Sequence, residues 1–355
     1  MLLYIHIPFC DSKCYYCAFN SYVDKFKLKV AYMKALEKQL AHDIDLYIKN
    51  TDKKIETVFI GGGTPSCVEA SLYENVFKII RPYLIKDIEI TTEANPNSAT
   101  KLWQEGMKAH GVNRISFGVQ SFKDHKLKAL GRAHKSISAI SAIQNASCIG
   151  FKGINCDIIY GVKGDTFESI KEDLDVVRTL PITHLSAYSL IIEEGTKFYK
   201  KSYMKIDDEE LSYQIFDEIK SMGLEQYEIS NFSINDESKS SHNFGYWQHK
   251  EYLGVGTGAV GYINKQRLYP LKDIEKYIET PLFKDVEVLS DEDIKTEKIL
   301  LGLRSQVGIN KTLLNKEELK RAEFLISENK LSEKDDIIYN KNYLLSDEVV
   351  LYILD

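Results

Sequence analysis

With 355 residues, of which 44% are hydrophobic and 28% charged, the chain has the composition of a globular protein with room for a large core and a smaller one. A formal net charge of −6 provides no basic footprint for nucleic acid, and the apolar stretches are a handful of residues long, which excludes a membrane span. Six cysteines in a chain of this size do not make a disulfide framework.

The opening MLLYIHIPFC is apolar but lacks a positive leader and a small-residue cleavage site, so it reads as a first strand over Leu2–Ile7 rather than a signal peptide, and a cytoplasmic location is expected. Further strands are expected at Thr57–Ile60, Ile88–Glu93, Arg114–Val119, Ile154–Ile159 and His184–Leu190. Between the first two, Phe26, Val30, Met33, Leu40, Ile44 and Tyr47 mark one face of a long helix. Later helices are expected at Asn97–His110, Ser136–Ile149 and Thr166–Thr179, each opened by a capping-type residue or nearly so. Six strand–helix units imply parallel strands joined by right-handed crossovers, two units short of a closed eight-fold barrel. The fold class expected is therefore α/β, an open partial (β/α)6 barrel.

After a helix at Asp208–Met222 and a strand at Glu225–Ile229 comes a polar stretch, Ser233–Ser241, that reads as a surface loop. It leads into the aromatic, glycine-rich segment HNFGYWQHKEYLGVGTGAVGY. From about Ser290 helices are expected at Glu292–Leu303 and Lys316–Asn329, followed by two runs, Asp336–Tyr339 and Val349–Leu354, read as a hairpin. The expected organisation is a core domain over 1–230, a connecting segment over 231–289, and a small winged-helix-like α+β domain over 290–355. No internal repeat or low-complexity tract interrupts it.

Cys67, Cys148 and Cys156 are scattered among apolar neighbours, where a free thiol behaves as a small hydrophobe. The other three are crowded as Cys10-x-x-x-Cys14-x-x-Cys17 just beyond the first strand, at the strand end where α/β barrels place their chemistry. Such crowding points to a metal in a reducing compartment. Three thiolates can hold three irons of a cubane and leave the fourth with an open position for the amine and carboxylate of a cosubstrate. A zinc site completed by His6 or a further cysteine, and unligated thiols, are the competing readings. Ala18-Phe19 after Cys17, with no histidine, excludes a c-type heme attachment sequence.

The loops after later strands carry polar groups to the same edge. Gly61-Gly62-Gly63-Thr64-Pro65 follows the second strand and allows close backbone approach to a ligand, with no GK[ST] to make it a phosphate loop. Glu93 lies in TTEANP, Gln120 in FGVQSF, Arg132 in LGRAH and Asp157 in CDIIYG. A carboxylate can accept from an ammonium, an arginine can pair with a carboxylate, and Asp or Gln can bind ribose hydroxyls. Each residue alone has a surface or structural role to offer; four at successive strand edges beside a three-cysteine loop match the polar needs of S-adenosylmethionine.

YIHIPFCDSKCYYCAF, GGGTP, TTEANP, GVQSF, LGRAH and CDIIYG, in order over nearly the whole chain, resemble the radical S-adenosylmethionine superfamily, in the branch of oxygen-independent coproporphyrinogen III oxidase and its relatives. The resemblance implies a [4Fe–4S] cluster on Cys10, Cys14 and Cys17, and S-adenosylmethionine bound by Tyr4, Tyr16, Gly62, Gly63, Thr64, Glu93, Gln120, Arg132 and Asp157. Tyr4 and Tyr16 also fit roles as a strand tyrosine and a packing aromatic. The oxidase has a fourth cysteine where this chain has Phe19, and a long extension before the cluster where this chain has nine residues.

His242-Asn243-Phe244-Gly245-Tyr246-Trp247 is similar to the HNxxYW signature of the heme chaperones in that branch, and ILLGLRSQVGI resembles their C-terminal domain. This implies heme as cargo, with His242 as its ligand and an acceptor heme protein as partner, reached without a membrane span even where the acceptor sits in a membrane. A histidine can ligate heme iron while Tyr and Trp supply apolar faces, though a solvated loop histidine is the commoner case. His249 and His6 are weaker candidates, and His6 is expected to support the cysteine loop. The rival expectation is the oxidase itself, with radical decarboxylation of coproporphyrinogen; a third is another radical enzyme acting on a tetrapyrrole.

Overall fold

In the computed structural model of the chain, which describes residues 1–49 and 51–355, the six expected strands form one parallel run in chain order. They are β1 (Leu2–Ile7), β2 (Ile55–Gly62), β3 (Leu84–Ala94), β4 (Arg114–Gln120), β5 (Gly153–Tyr160) and β6 (His184–Ser189). The crossovers are α1 (Lys29–Tyr47), α2 (Glu74–Ile80), α3 (Lys101–His110), α4 (Asp124–Leu130) with α5 (Ser136–Ile149), and α6 (Phe167–Arg178). The ends of the helices follow local chemistry. Thr100 and Thr166 accept backbone N–H bonds as N-caps, while Gly111, Gly131 and Gly150 close α3, α4 and α5 in the left-handed conformation.

The sheet stays open. After α7 (Glu209–Ser221), the short antiparallel strands β7 (Glu225–Gln226) and β8 (Asn231–Ser233) extend it beyond β6. Next comes α8 (Ser241–Trp247). Then β9 (Tyr252–Val255) pairs parallel with the free edge of β1, so β1 and β6 never meet. The antiparallel β10 (Gly261–Ile263), β11 (Gln266–Pro270) and, after α9 (Ile274–Glu279), β12 (Lys284–Val288) complete a 12-stranded sheet. The expected strand at Glu225–Ile229 is thus shorter, because Tyr227 and Ile229 turn to bond Asn231, Arg304 and Gln306 instead.

The last part of the chain has its own core. Here α10 (Asp291–Leu303), α11 (Lys316–Ser327) and α12 (Ser346–Leu354) pack on a three-stranded sheet of β13 (Ile309–Asn310), β14 (Leu331–Lys334) and β15 (Ile337–Asn340), around Ile299, Leu303, Leu325, Ile338 and Ile353. The hairpin is β14–β15, and Val349–Leu354, read above as its second strand, is helical. Val349, Val350 and Ile353 are buried while Leu351 and Tyr352 are exposed, which is one face of a helix and not the alternation of a strand. Two smaller expectations also fail. Val30 points to solvent beside the buried Met33, Leu40 and Ile44 of α1, and Cys148 is exposed whereas Cys67 and Cys156 are buried.

Candidate functional site

The cysteine loop leaves β1 at Pro8 and is pinned on both sides. Cys10 N–H donates to the Tyr22 carbonyl at 3.0 Å and Tyr22 N–H to the Pro8 carbonyl at 2.7 Å; Tyr15 N–H donates to the Leu130 carbonyl at 3.0 Å. His6 holds the far end of the loop. Its Nε2–H donates to the Asn20 carbonyl at 2.8 Å, and Nδ1 accepts from Tyr4 Oη at 2.9 Å. Burial pushes the His6 imidazole down to about 4, so it stays neutral, as this bonding requires.

Gly62 and Gly63 are sized by this arrangement. Gly62 has φ +109°, and a Cβ there would stand 2.5 Å from the His6 ring; a Cβ on Gly63 would stand 2.9 Å from the carbonyls of Ile7 and Phe9. Only glycine lets β2 pass so close beneath the loop. At the end of β4 the ladder breaks between Gly118 and Gln120, and Gln120 adopts φ +69°, a bulge that turns its side chain into the same space.

The result is one cavity of about 400 Å³ lined by Cys10, Cys14, Cys17, Tyr16, Gly62, Gly63, Thr64, Glu93, Gln120, Arg132 and Asp157. All eleven came from the sequence. Asn95, which sequence reasoning passed over inside TTEANP, ties them together: its Nδ2 donates to Thr64 Oγ1 at 3.0 Å and its Oδ1 accepts from Arg132 Nη2 at 2.6 Å. Thr64 Oγ1 in turn donates to Cys10 Sγ and Arg132 Nη1 to Cys14 Sγ, both at 3.3 Å. Tyr188, at the cavity rim with exposed Phe19, was also missed.

Two sequence-predicted residues stand elsewhere. Tyr4 does not line this cavity; it bonds His6 and borders an adjoining space that shares Gly62 and Glu93 with it. His242 is fully buried on α8, with Nδ1 2.7 Å from Thr57 Oγ1 and Nε2 3.0 Å from Tyr246 Oη, and burial followed by the Arg114 charge pushes it down to about 3. Its helix is seated by Glu89, which accepts from the N–H groups of Ser241 at 2.8 Å and His242 at 3.0 Å. His249 instead donates to Glu297 at 2.8 Å beside a second cavity of about 400 Å³ walled by Tyr246, Tyr252 and Tyr262.

The donor set fits a cluster with a bound cosubstrate. Burial raises the thiols of Cys10 and Cys17 above their usual range, so they need a cation to ionise fully. Among the described residues no three His, Cys, Asp or Glu side chains converge tightly enough for a single ion, a constraint that a cubane relaxes because each thiolate takes a different iron. Buried Gln120 Oε1 and Arg132 Nε have no partner among the described residues. Glu93 is pushed up to about 8, chiefly by burial and then by Asp157, and accepts from Gly62 N–H at 3.1 Å. Cys67 is no fourth ligand in this arrangement. Burial, then Asp11, pushes its thiol up to about 12, and Sγ donates to Asp11 Oδ1 at 3.3 Å.

The profile of the Radical SAM superfamily matches residues 4–177. A Bacillus subtilis protein named heme chaperone HemW is 34% identical over 326 residues, covering 87% of this chain and 84% of its own. The Lactococcus lactis heme chaperone HemW is 32% identical over 99% of this chain and 93% of its own length. The chain belongs to the HemW family of the radical SAM superfamily. The Escherichia coli HemW is also 37% identical, over 73% of this chain and 69% of its own. For the fold, the structure of coproporphyrinogen III oxidase (HemN) from Escherichia coli superposes with a TM-score of 0.82 at 21% identity, covering 99% of this chain and 89% of that one. Membership of the superfamily implies a [4Fe–4S] cluster and S-adenosylmethionine for this HemW-family chain. No helix among its described residues is long and apolar enough to cross a membrane.

Proposed function

We propose that the protein is a heme chaperone, which binds heme and passes it to an acceptor heme protein. The observation that carries this reading is the likeness, over 84% and 93% of their own lengths, to relatives named heme chaperones. In this reading Cys10, Cys14 and Cys17 hold a [4Fe–4S] cluster, whose open iron supplies a site for the amine and carboxylate of S-adenosylmethionine. Arg132 and Thr64 stabilise the Cys14 and Cys10 thiolates, and Gly62 and Gly63 give the ligand backbone to lie against. Glu93, Gln120 and Asp157 supply acceptors for its ammonium and hydroxyl groups, Tyr16 packs at the cavity wall, and Tyr4 acts at one remove through His6.

Heme ligation by His242 requires α8 to leave its seat, since both ring nitrogens are bonded in the core. We therefore assign heme binding to an opened arrangement of the HNFGYW segment. The adjoining tyrosine-lined cavity, where Arg267 is paired with Glu297, provides the aromatic wall. The test is heme binding and transfer to an apo-heme protein by wild type, His242→Ala and His249→Ala, with and without the reconstituted cluster. Transfer by wild type and its loss in His242→Ala support the reading. Equal heme binding by wild type and His242→Ala removes that residue, and anaerobic conversion of coproporphyrinogen to protoporphyrinogen without transfer removes the chaperone.

A further inference from the structure

Below the cavity closed by the cysteine loop, the bore of the barrel holds a second space of about 250 Å³. Branched side chains fill this level in closed (β/α)8 barrels. Here the floor is polar: Arg114 of β4, Asn155 of β5, His184 of β6 and Asn231 of β8, none more than 5% exposed. Asn155 and His184 are satisfied. The Asn155 amide donates to Ser116 at 2.8 Å and to Ser186 at 3.0 Å, and its Oδ1 accepts from His184 Nδ1–H at 2.6 Å, while Tyr227 Oη donates to His184 Nε2 at 2.7 Å.

Arg114 and Asn231 are not. Among the described residues the Nε of Arg114 meets no acceptor and the Oδ1 of Asn231 meets no donor, although both side chains border the space. A guanidinium withdrawn from water calls for an acceptor, best a carboxylate taken by the fork of its N–H groups. An amide oxygen calls for an N–H or O–H. The space equals the liquid volume of roughly eight waters, and so admits a ligand of roughly eight non-hydrogen atoms or fewer. It shares Gly62, Glu93, Ser116, Asp157 and Tyr188 with the cavity above, which gives it an entrance.

We infer that the floor of the barrel is a binding site for a small 2-amino or 2-hydroxy carboxylate, its carboxylate on Arg114 and its α-substituent donating to Asn231. The ligand enters from above, and a cosubstrate seated over it closes the exit. The site depends only on residues of the floor and stands apart from the heme reading.

Saturation-transfer NMR and calorimetry on the full chain, with L-alanine, L-lactate and the neutral isobutyramide as probes, test this. Saturable binding of an acid but not of the amide is expected, and the preferred acid tells an ammonium from a hydroxyl. Arg114→Gln should weaken that binding at least about tenfold, the loss of one charge-assisted pair. Asn231→Asp should abolish it by adding a carboxylate to those of Glu93 and Asp157, which already line the space with Arg114, and should raise the ligand-free melting temperature, which keeps the test alive if Arg114→Gln fails to fold. No saturable binding of either acid to wild type, or equal binding by wild type and Asn231→Asp, overturns the proposal.

Discussion

Arg132 Nη1 lies 3.3 Å from Cys14 Sγ, and through Asn95 and Thr64 the same guanidinium is linked to Cys10. Two cysteines four residues apart in the loop are therefore served by one network from β2, β3 and the turn after α4.

Arg132→Lys keeps the charge and loses the fork that spans Cys14 and Asn95. Partners of this kind around metal ligands are worth about tenfold or more in metal affinity. Iron and sulfide content after anaerobic reconstitution, and the rate of bleaching in air, should show a depleted and faster-decaying cluster. Full iron loading with unchanged air stability would remove the role given to this network.

Gly62→Ala places a methyl group 2.5 Å from the His6 ring at φ +109°. Backbone strain of this kind costs about 1–3 kcal/mol, and displacing His6 frees the Asn20 end of the loop. The variant should lower the urea midpoint and take up less iron, whereas Gly150→Ala, whose Cβ meets nothing within 4 Å, should disturb stability alone.

Glu93 has its carboxyl raised from 4.5 to about 8 in the native protein. Between those values the native state keeps a proton that the unfolded chain has released, so stability falls as pH rises through the window. The slope is at most about 1.4 kcal/mol per pH unit for one group, and it vanishes above pH 8 once both states are ionised. Urea midpoints from pH 5 to 9 should show a shallower pH dependence in Glu93→Gln than in wild type. Parallel curves would mean that Glu93 is ionised in the ligand-free fold.

Thr57→Val removes the partner of His242 Nδ1 inside the core and should cost about 1–3 kcal/mol. Because the same bond helps seat α8, the variant should also bind heme faster than wild type, followed by stopped-flow absorbance. Acid acts in the same direction. The His242 imidazole titrates at about 3 in the fold against 6.5 when free, so the stability it contributes is lost as pH falls from 6.5 toward 3. Slower heme uptake by Thr57→Val would exclude α8 opening as the route.

The sequence by itself determined the six parallel strands and named the three loop cysteines and the eight other residues that meet around the cavity. Periodicity and short motifs are local properties: GGGTP and TTEANP sit where β2 and β3 stop, CDIIYG lies within and beyond β5, and LGRAH follows α4. Folding decided what depends on residues far apart. Val349–Leu354 became a helix because its buried positions fit one helical face. Asn95 gained its part because Thr64 arrives from the loop after β2 and Arg132 from the turn after α4. Tyr4 faces His6 rather than the cavity, and His242, a polar-looking loop residue in the sequence, is sealed between Thr57 and Tyr246. A sequence motif names the atoms available for chemistry; the packing of α8 on β2 decides when a histidine nitrogen is free to use them.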